Sequence, residues 1–134
     1  MATIEHHVTR ELVALAGETS CADAARALIE HGIGSVAVRV AGRVIGLVTE
    51  RDLVARVLAE GASAELPISE VMRHDLPRVA PQTDEAECAA LMRDHVTRHL
   101  LVADGGEVVG LISMRDLLRL GQFAEINLGE IVRA

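Results

Sequence analysis

Residues 46–53 read Gly46-Leu47-Val48-Thr49-Glu50-Arg51-Asp52-Leu53, and residues 110–117 read Gly110-Leu111-Ile112-Ser113-Met114-Arg115-Asp116-Leu117. In both, a glycine and an apolar run suited to a short buried strand give way to a hydroxyl. An aspartate follows three residues later, where a helical pattern begins. Hydroxyl and carboxylate therefore share the first turn of a helix in each copy. Two such turns predict two related pockets.

Working outward, the chain aligns with itself at a shift of 64 positions without a gap. Residues 4–55 match 68–119, and 15 of these 52 pairs are identical, several times the chance rate. The identities include Ile4/Ile68, Thr19/Thr83, His31/His95, Val38/Val102, Gly42/Gly106, Gly46/Gly110 and Asp52/Asp116. An internal duplication follows.

Each copy opens with an extended segment ending near Leu15 or Val79. Thr19 and Thr83 are the expected N-caps of helices over 20–31 and 84–95, with acidic residues in the first turn suiting the helix dipole. Ala24, Ala25, Leu28 and Ile29 form one apolar face, as do Cys88, Ala89, Leu91 and Met92. Gly32 is placed to close the first helix. The Val- and Leu-rich runs 35–40 and 99–103 read as strands, each joined by a glycine turn to a second strand, 44–48 or 108–112. A second helix then starts at the motif, with Leu53, Val54, Val57 and Leu58 on one face and Gly61 at its end. Residues 122–134 are expected to form a C-terminal extension, helical in pattern though weakened by Gly129. The repeats are bounded at 1–62 and 63–121. The fold class is α/β, each repeat running β-α-β-β-α. Three strands with helices on one face leave an apolar surface that docking the repeats sheet to sheet about a pseudo-twofold axis would close.

Composition limits the function. The net charge of −7 speaks against nucleic acid and anionic membranes as partners. All 13 cations are arginine, which removes lysine-based catalysis and hints at a GC-rich bacterial genome. Phe123 is the one aromatic residue, so a bound base would lie against aliphatic side chains rather than a ring. Cys21 and Cys88 sit in helical patterns and read as buried free thiols, not as a disulfide framework or metal site. No apolar run reaches the roughly 18 residues of a membrane span, and no targeting segment is visible, so a cytoplasmic protein is expected.

The doubled pattern Gly-hydrophobic-x-Thr/Ser-x-x-Asp-Leu, at this spacing and in this element order, resembles a tandem pair of cystathionine β-synthase (CBS) domains, a Bateman module. The resemblance covers almost the whole chain and is similar to small stand-alone bacterial members, with no catalytic or transport domain attached. It implies clefts between the repeats for an adenosine-containing nucleotide: AMP, ADP, ATP, NAD or S-adenosylmethionine. It also implies a homodimer formed through the helices. In such modules the aspartate takes the ribose hydroxyls and the hydroxyl residue lies by the ribose or phosphate. Carried onto this chain, these are Asp52 with Thr49 and Asp116 with Ser113.

The residue types suit that chemistry. An ionised carboxylate accepts two charge-assisted hydrogen bonds from a vicinal diol, and free N–H groups of a helix start suit a phosphate. Thr49-x-x-Asp52 and Ser113-x-x-Asp116 also read as capping boxes. Their repetition in register favours the ligand reading, and an unliganded aspartate can serve both roles. The copies differ where Gly34-Ser35 is matched by Arg98-His99. Small residues admit a ligand's backbone approach, whereas Arg98 and His99 could supply cations to phosphates, with a surface ion pair the alternative for Arg98. Arg51 and Arg115 could pair with the neighbouring aspartate or reach a phosphate. His31 and His95 suit helix C-termini, and His6-His7 is a lone pair; no metal site, catalytic set or phosphate loop is expected. The expected function is a regulatory nucleotide sensor read by a separate, unidentified protein partner. The alternative is an interaction and dimerisation module with vestigial pockets.

Overall fold

The computed structural model describes residues 2–119. The expected C-terminal extension over 122–134, Phe123 included, lies outside the described residues.

Two three-stranded sheets form, one in each of two compact units. In the first half, β1 (Ala14–Ala16) pairs in parallel with β2 (Ser35–Val40), which pairs antiparallel with β3 (Arg43–Thr49). Helix α1 (Cys21–His31) makes the crossover from β1 to β2, and α2 (Glu50–Leu53) follows β3 directly. The second half repeats the plan with β4 (Arg78–Val79), α3 (Glu85–His95), β5 (His99–Asp104), β6 (Glu107–Ser113) and α4 (Met114–Arg119). Both antiparallel ladders carry a bulge at the same place, between Val38 and Arg39 and between Val102 and Ala103, which is the 64-residue shift again.

Local chemistry accounts for the elements. The hairpins turn through Ala41-Gly42 and Gly105-Gly106, all at positive φ, the geometry that matches strand twist. Helix α1 is capped by Ser20, whose side chain accepts from the Asp23 N–H, and α3 by Asp84, which accepts from the Ala86 N–H. Both caps fall one residue after the expected Thr19 and Thr83. The reason is that the carbonyls of Thr19 and Thr83 are engaged elsewhere, by the Ile68 and Ile4 N–H groups. Gly32 ends α1 at φ 61, as expected, while α3 ends on Val96 at φ 48.

The second helix of the first half departs from its expected single face. After Leu53 it widens into a π-helical turn over Val54–Leu58, closed by the Ala59 N–H on the Val54 carbonyl. Leu53 and Val57 are buried, but Val54 and Leu58 are exposed, as is Ile29 on α1. A face read at regular helical spacing holds only its inner half against the sheet.

The compact units do not follow the repeats. Residues 12–75 form one unit, and 1–11 join 76 onward in the other. The leading segment of each repeat is thus exchanged. Ile68, wholly buried, packs in the core with Leu28, Val36, Val48 and Val57 of the first repeat. Ile4, its counterpart, packs with Met92, Leu100, Ile112 and Leu117 of the second. Backbone bridges fix both exchanges at equivalent places: Thr3 with Asp84 and Thr9 with Leu111, Pro67 with Ser20 and Arg73 with Leu47.

Those bridges explain the motif glycines. A Cβ on Gly46 would stand 2.7 Å from the Arg73 carbonyl oxygen and 2.8 Å from the Met72 sulfur. One on Gly110 would overlap Val8 and stand 2.7 Å from the Thr9 carbonyl oxygen. Each glycine is the place where the exchanged segment crosses the sheet.

Candidate functional site

The strand before each motif ends on its hydroxyl residue, and the helix begins on the next. In the first half Thr49 is the N-cap of α2: its Oγ1 accepts from the Asp52 N–H at 3.1 Å, while Asp52 Oδ2 accepts from the Thr49 N–H at 2.9 Å. Both residues are buried, Asp52 to 3% exposure. In the second half Asp116 Oδ2 accepts from the Ser113 N–H at 3.0 Å and from the Ser113 hydroxyl at 2.9 Å, and the Asp116 N–H reaches Ser113 Oγ at 3.3 Å. Asp116 is half-buried. The capping reading is thus realised in both copies, and it leaves one carboxylate oxygen of each aspartate outside the box.

The residues expected around them gather at the same strand ends. Ser35 pairs with Thr49 across the first ladder and His99 with Ser113 across the second. The Glu50 N–H donates to the Gly34 carbonyl at 3.0 Å, and the Met114 N–H to the Arg98 carbonyl at 2.7 Å. Gly34-Ser35 and Arg98-His99 therefore sit beside the motif in their own halves. Gly34 is open, a Cβ there meeting nothing nearer than Glu50 Oε1 at 3.8 Å. Thr97 Oγ1, 3% exposed, donates to the His99 carbonyl at 3.3 Å and fixes the start of β5. Arg51 and Arg115 are exposed, and the ion pair of Asp52 is made by neither.

That ion pair belongs to Arg73, whose Nε lies 3.4 Å from Asp52 Oδ1. Arg73 comes from the exchanged segment and is half-buried. Arg56, on the π-helical turn, also holds this segment, donating from Nη1 to the Val71 carbonyl at 3.0 Å. Sequence reading missed both arginines. The 64-residue register sets Arg73 against Thr9, a charged residue against a neutral one, which marks a divergence between the copies but not the partner Asp52.

Elsewhere the chemistry is quiet. Burial pushes the Cys21 thiol up, with Glu70 adding to it, and pushes Cys88 up to about 12, with Glu87, Asp84 and Glu85 adding. Both are buried free thiols, protonated at neutral pH. Among the described residues no group of three or more His, Cys, Asp or Glu could hold a metal ion. No helix among them is long and apolar enough to cross a membrane.

Comparison with known proteins places this geometry. The family model for the CBS domain matches twice, over residues 4–59 and 68–122. CBS domain-containing protein YhcV of Bacillus subtilis is 27% identical over 117 residues, 87% of this chain and 84% of its own length. A conserved protein of Pyrococcus horikoshii has a similar crystal structure, with TM-score 0.83 and 29% identity over 90% of this chain and 92% of that one. So does a CBS-domain containing protein of Agrobacterium tumefaciens, with TM-score 0.76 and 32% identity over 84% and 90%. With two α/β repeats in tandem, each carrying the motif at the same strand-to-helix junction, the chain belongs to the CBS domain family.

Proposed function

We propose that this chain is a regulatory module that binds an adenosine-containing nucleotide at its motif sites, with Asp52 and Asp116 taking the ribose hydroxyls. CBS domain pairs are regulatory modules that generally bind such ligands. The observation that carries the reading is the state of the two carboxylates. Each is fixed by a peptide N–H on one oxygen, at 2.9 and 3.0 Å, so its orientation is set before any ligand arrives. A pre-oriented carboxylate meets a diol without spending the ordering entropy a surface side chain would lose. Thr49 and Ser113 lie by the ribose or phosphate. Gly34 and Ser35 leave room in the first site, while Arg98, with His99 beside it, brings positive charge to the second, where a phosphate is met best. Arg51 and Arg115, both exposed, reach outward to phosphates.

The module acts without catalysis, in the cytoplasm, where its ligands are. Occupancy biases one arrangement of the protein over another by its differential affinity for the two, and a protein partner reads the result. A homodimer forms through the helices, with Ile29, Val54, Leu58 and Leu118 among the exposed apolar side chains available for it.

Calorimetric titration of the ligand-stripped protein with AMP, ATP, NAD and S-adenosylmethionine tests the reading. Binding of one of them, lost in the Asp52→Ala, Asp116→Ala double variant with the fold intact, supports it. No heat from any at millimolar concentration refutes it. Mass spectrometry of copurified small molecules identifies the ligand directly.

The same exposed side chains favour a second reading, an interaction module with vestigial pockets. It expects partner binding to survive the double alanine variant and to fail in Leu58→Asp.

A further inference from the structure

We propose that Arg73 locks the first-repeat carboxylate, so that Asp116 takes a ribose diol before Asp52 does. The inference rests on the nucleotide reading above and assigns its two sites unequal roles through one residue.

The cap occupies Oδ2 of each carboxylate, so a diol is met first by Oδ1. On Asp52, Oδ2 is held by the Thr49 N–H and Oδ1 by the Arg73 guanidinium. The aspartate is 3% exposed and the arginine side chain 24%, so water screens the pair poorly and offers little to replace it. On Asp116 the capping bonds fall on Oδ2, and among the described residues no cation lies within ion-pair reach of either oxygen. The register explains the difference. Arg73 makes the backbone bridge to Leu47, and at the equivalent bridge to Leu111 stands Thr9.

The lock is also placed to report on occupancy. Arg73 lies at the end of the exchanged segment whose Val71 and Met72 carbonyls accept from Arg56, at 3.0 and 3.4 Å. A ligand that captures Asp52 must turn the Arg73 guanidinium away, removing a side-chain tie on that segment. The first site thus needs more ligand to fill, and filling it loosens the exchanged segment.

Reciprocal exchange of the two residues tests this. Adenosine, which carries the diol without phosphate, is titrated into the full chain while the amides of Thr49, Asp52, Ser113 and Asp116 are followed by NMR. In the unsubstituted protein the Ser113 and Asp116 amides shift at lower adenosine concentration than those of Thr49 and Asp52. Arg73→Thr tightens the first site by about tenfold, the worth of one charge-assisted hydrogen bond restored to the diol. Thr9→Arg weakens the second site by a similar factor. Repeating the titration with AMP separates a lock from a phosphate ligand: tighter AMP binding at the first site of Arg73→Thr supports the lock, and weaker binding overturns it. Shifts that occur but are unchanged by Arg73→Thr overturn the lock and leave the nucleotide reading standing. No shift in any variant overturns the nucleotide reading itself. A double-mutant cycle of Arg73→Thr with Asp52→Asn in urea unfolding checks the pair without ligand. Coupling of threefold or more in the unfolding constant supports it, and coupling below twofold overturns it.

Discussion

If the motif glycine exists to admit the exchanged segment, Gly46→Ala is costly although it adds a single methyl group. The new Cβ would stand 2.7 Å from the Arg73 carbonyl oxygen and 2.8 Å from the Met72 sulfur, against the 3.4–4 Å of ordinary contact. The methionine tail can move aside. The carbonyl cannot, because it accepts from the Leu47 N–H at 3.0 Å while the Arg73 N–H donates back to Leu47 at 2.9 Å. Parting the strands far enough weakens both bonds, each worth about 1 kcal/mol net. Residual overpacking adds about 1–3 kcal/mol. Replacing a glycine at a position without positive φ returns only about 0.4–1 kcal/mol by restricting the unfolded chain. The expected loss is about 2–3 kcal/mol, on the order of 10 °C in melting temperature for a chain of this size. Urea unfolding followed by far-UV circular dichroism measures it. Hydrogen exchange localises it to the Leu47 and Arg73 amides. Gly110→Ala is expected to cost at least as much, since Val8 adds to the overlap with Thr9. A Gly46→Ala protein as stable as the parent, with those amides still protected, would refute the crossing as the glycine's reason.

Val96 ends α3 at φ 48, a conformation that a β-branched residue adopts under strain, where the first repeat has Gly32 at φ 61. Val96→Gly is expected to stabilise by about 1 kcal/mol, the strain relieved exceeding the entropy that glycine adds to the unfolded chain, and a higher urea midpoint shows it. Thr49→Ala removes the acceptor of the Asp52 N–H at a buried cap and costs about 1–2 kcal/mol, read from the same transition. Cys88 gives a pH signature: its thiol is raised from 9.0 to about 12, so between those values the unfolded state releases a proton that the folded state keeps. The Cys88 contribution to stability is therefore constant below pH 9 and is lost as pH rises toward 12. With no lysine or tyrosine in the chain, few other groups titrate there, and Cys88→Ala flattens the fall measured by urea unfolding at pH 8, 9, 10 and 11.

The duplication was legible because each constraint recurs at the same spacing. Hairpin glycines, buried strands and motif carboxylates survive in both copies, and the bulges at Val38 and Val102 follow suit. The caps were misplaced by one residue because Thr19 and Ser20 are both capping types. Only the bond from Ile68 to the Thr19 carbonyl separates them, and that bond spans 49 positions. The split face of the second helix was not legible either. Val54 and Leu58 have the spacing of core residues, and the π-helical turn that displaces them involves no glycine or proline. At the site, the partners within each capping box could be read from a three-residue spacing. Arg73 could not, lying 21 positions from Asp52 in what reads as the other repeat.

The exchange itself hides behind the symmetry that reveals the repeats. Ile4 and Ile68 are the same residue at the same place in the register, so either fits either core, and a comparison of copies cannot say which goes where. The consequence lies in what the exchange does to divergence. A substitution in one leading segment alters the site of the other repeat, not its own. Arg73, within the second repeat by sequence, sets the charge around Asp52 of the first, while Thr9 of the first offers no cation to Asp116 of the second. Two sites built from one ancestral motif can then drift apart in affinity while each motif stays intact, because the residue that separates them is carried by the other copy.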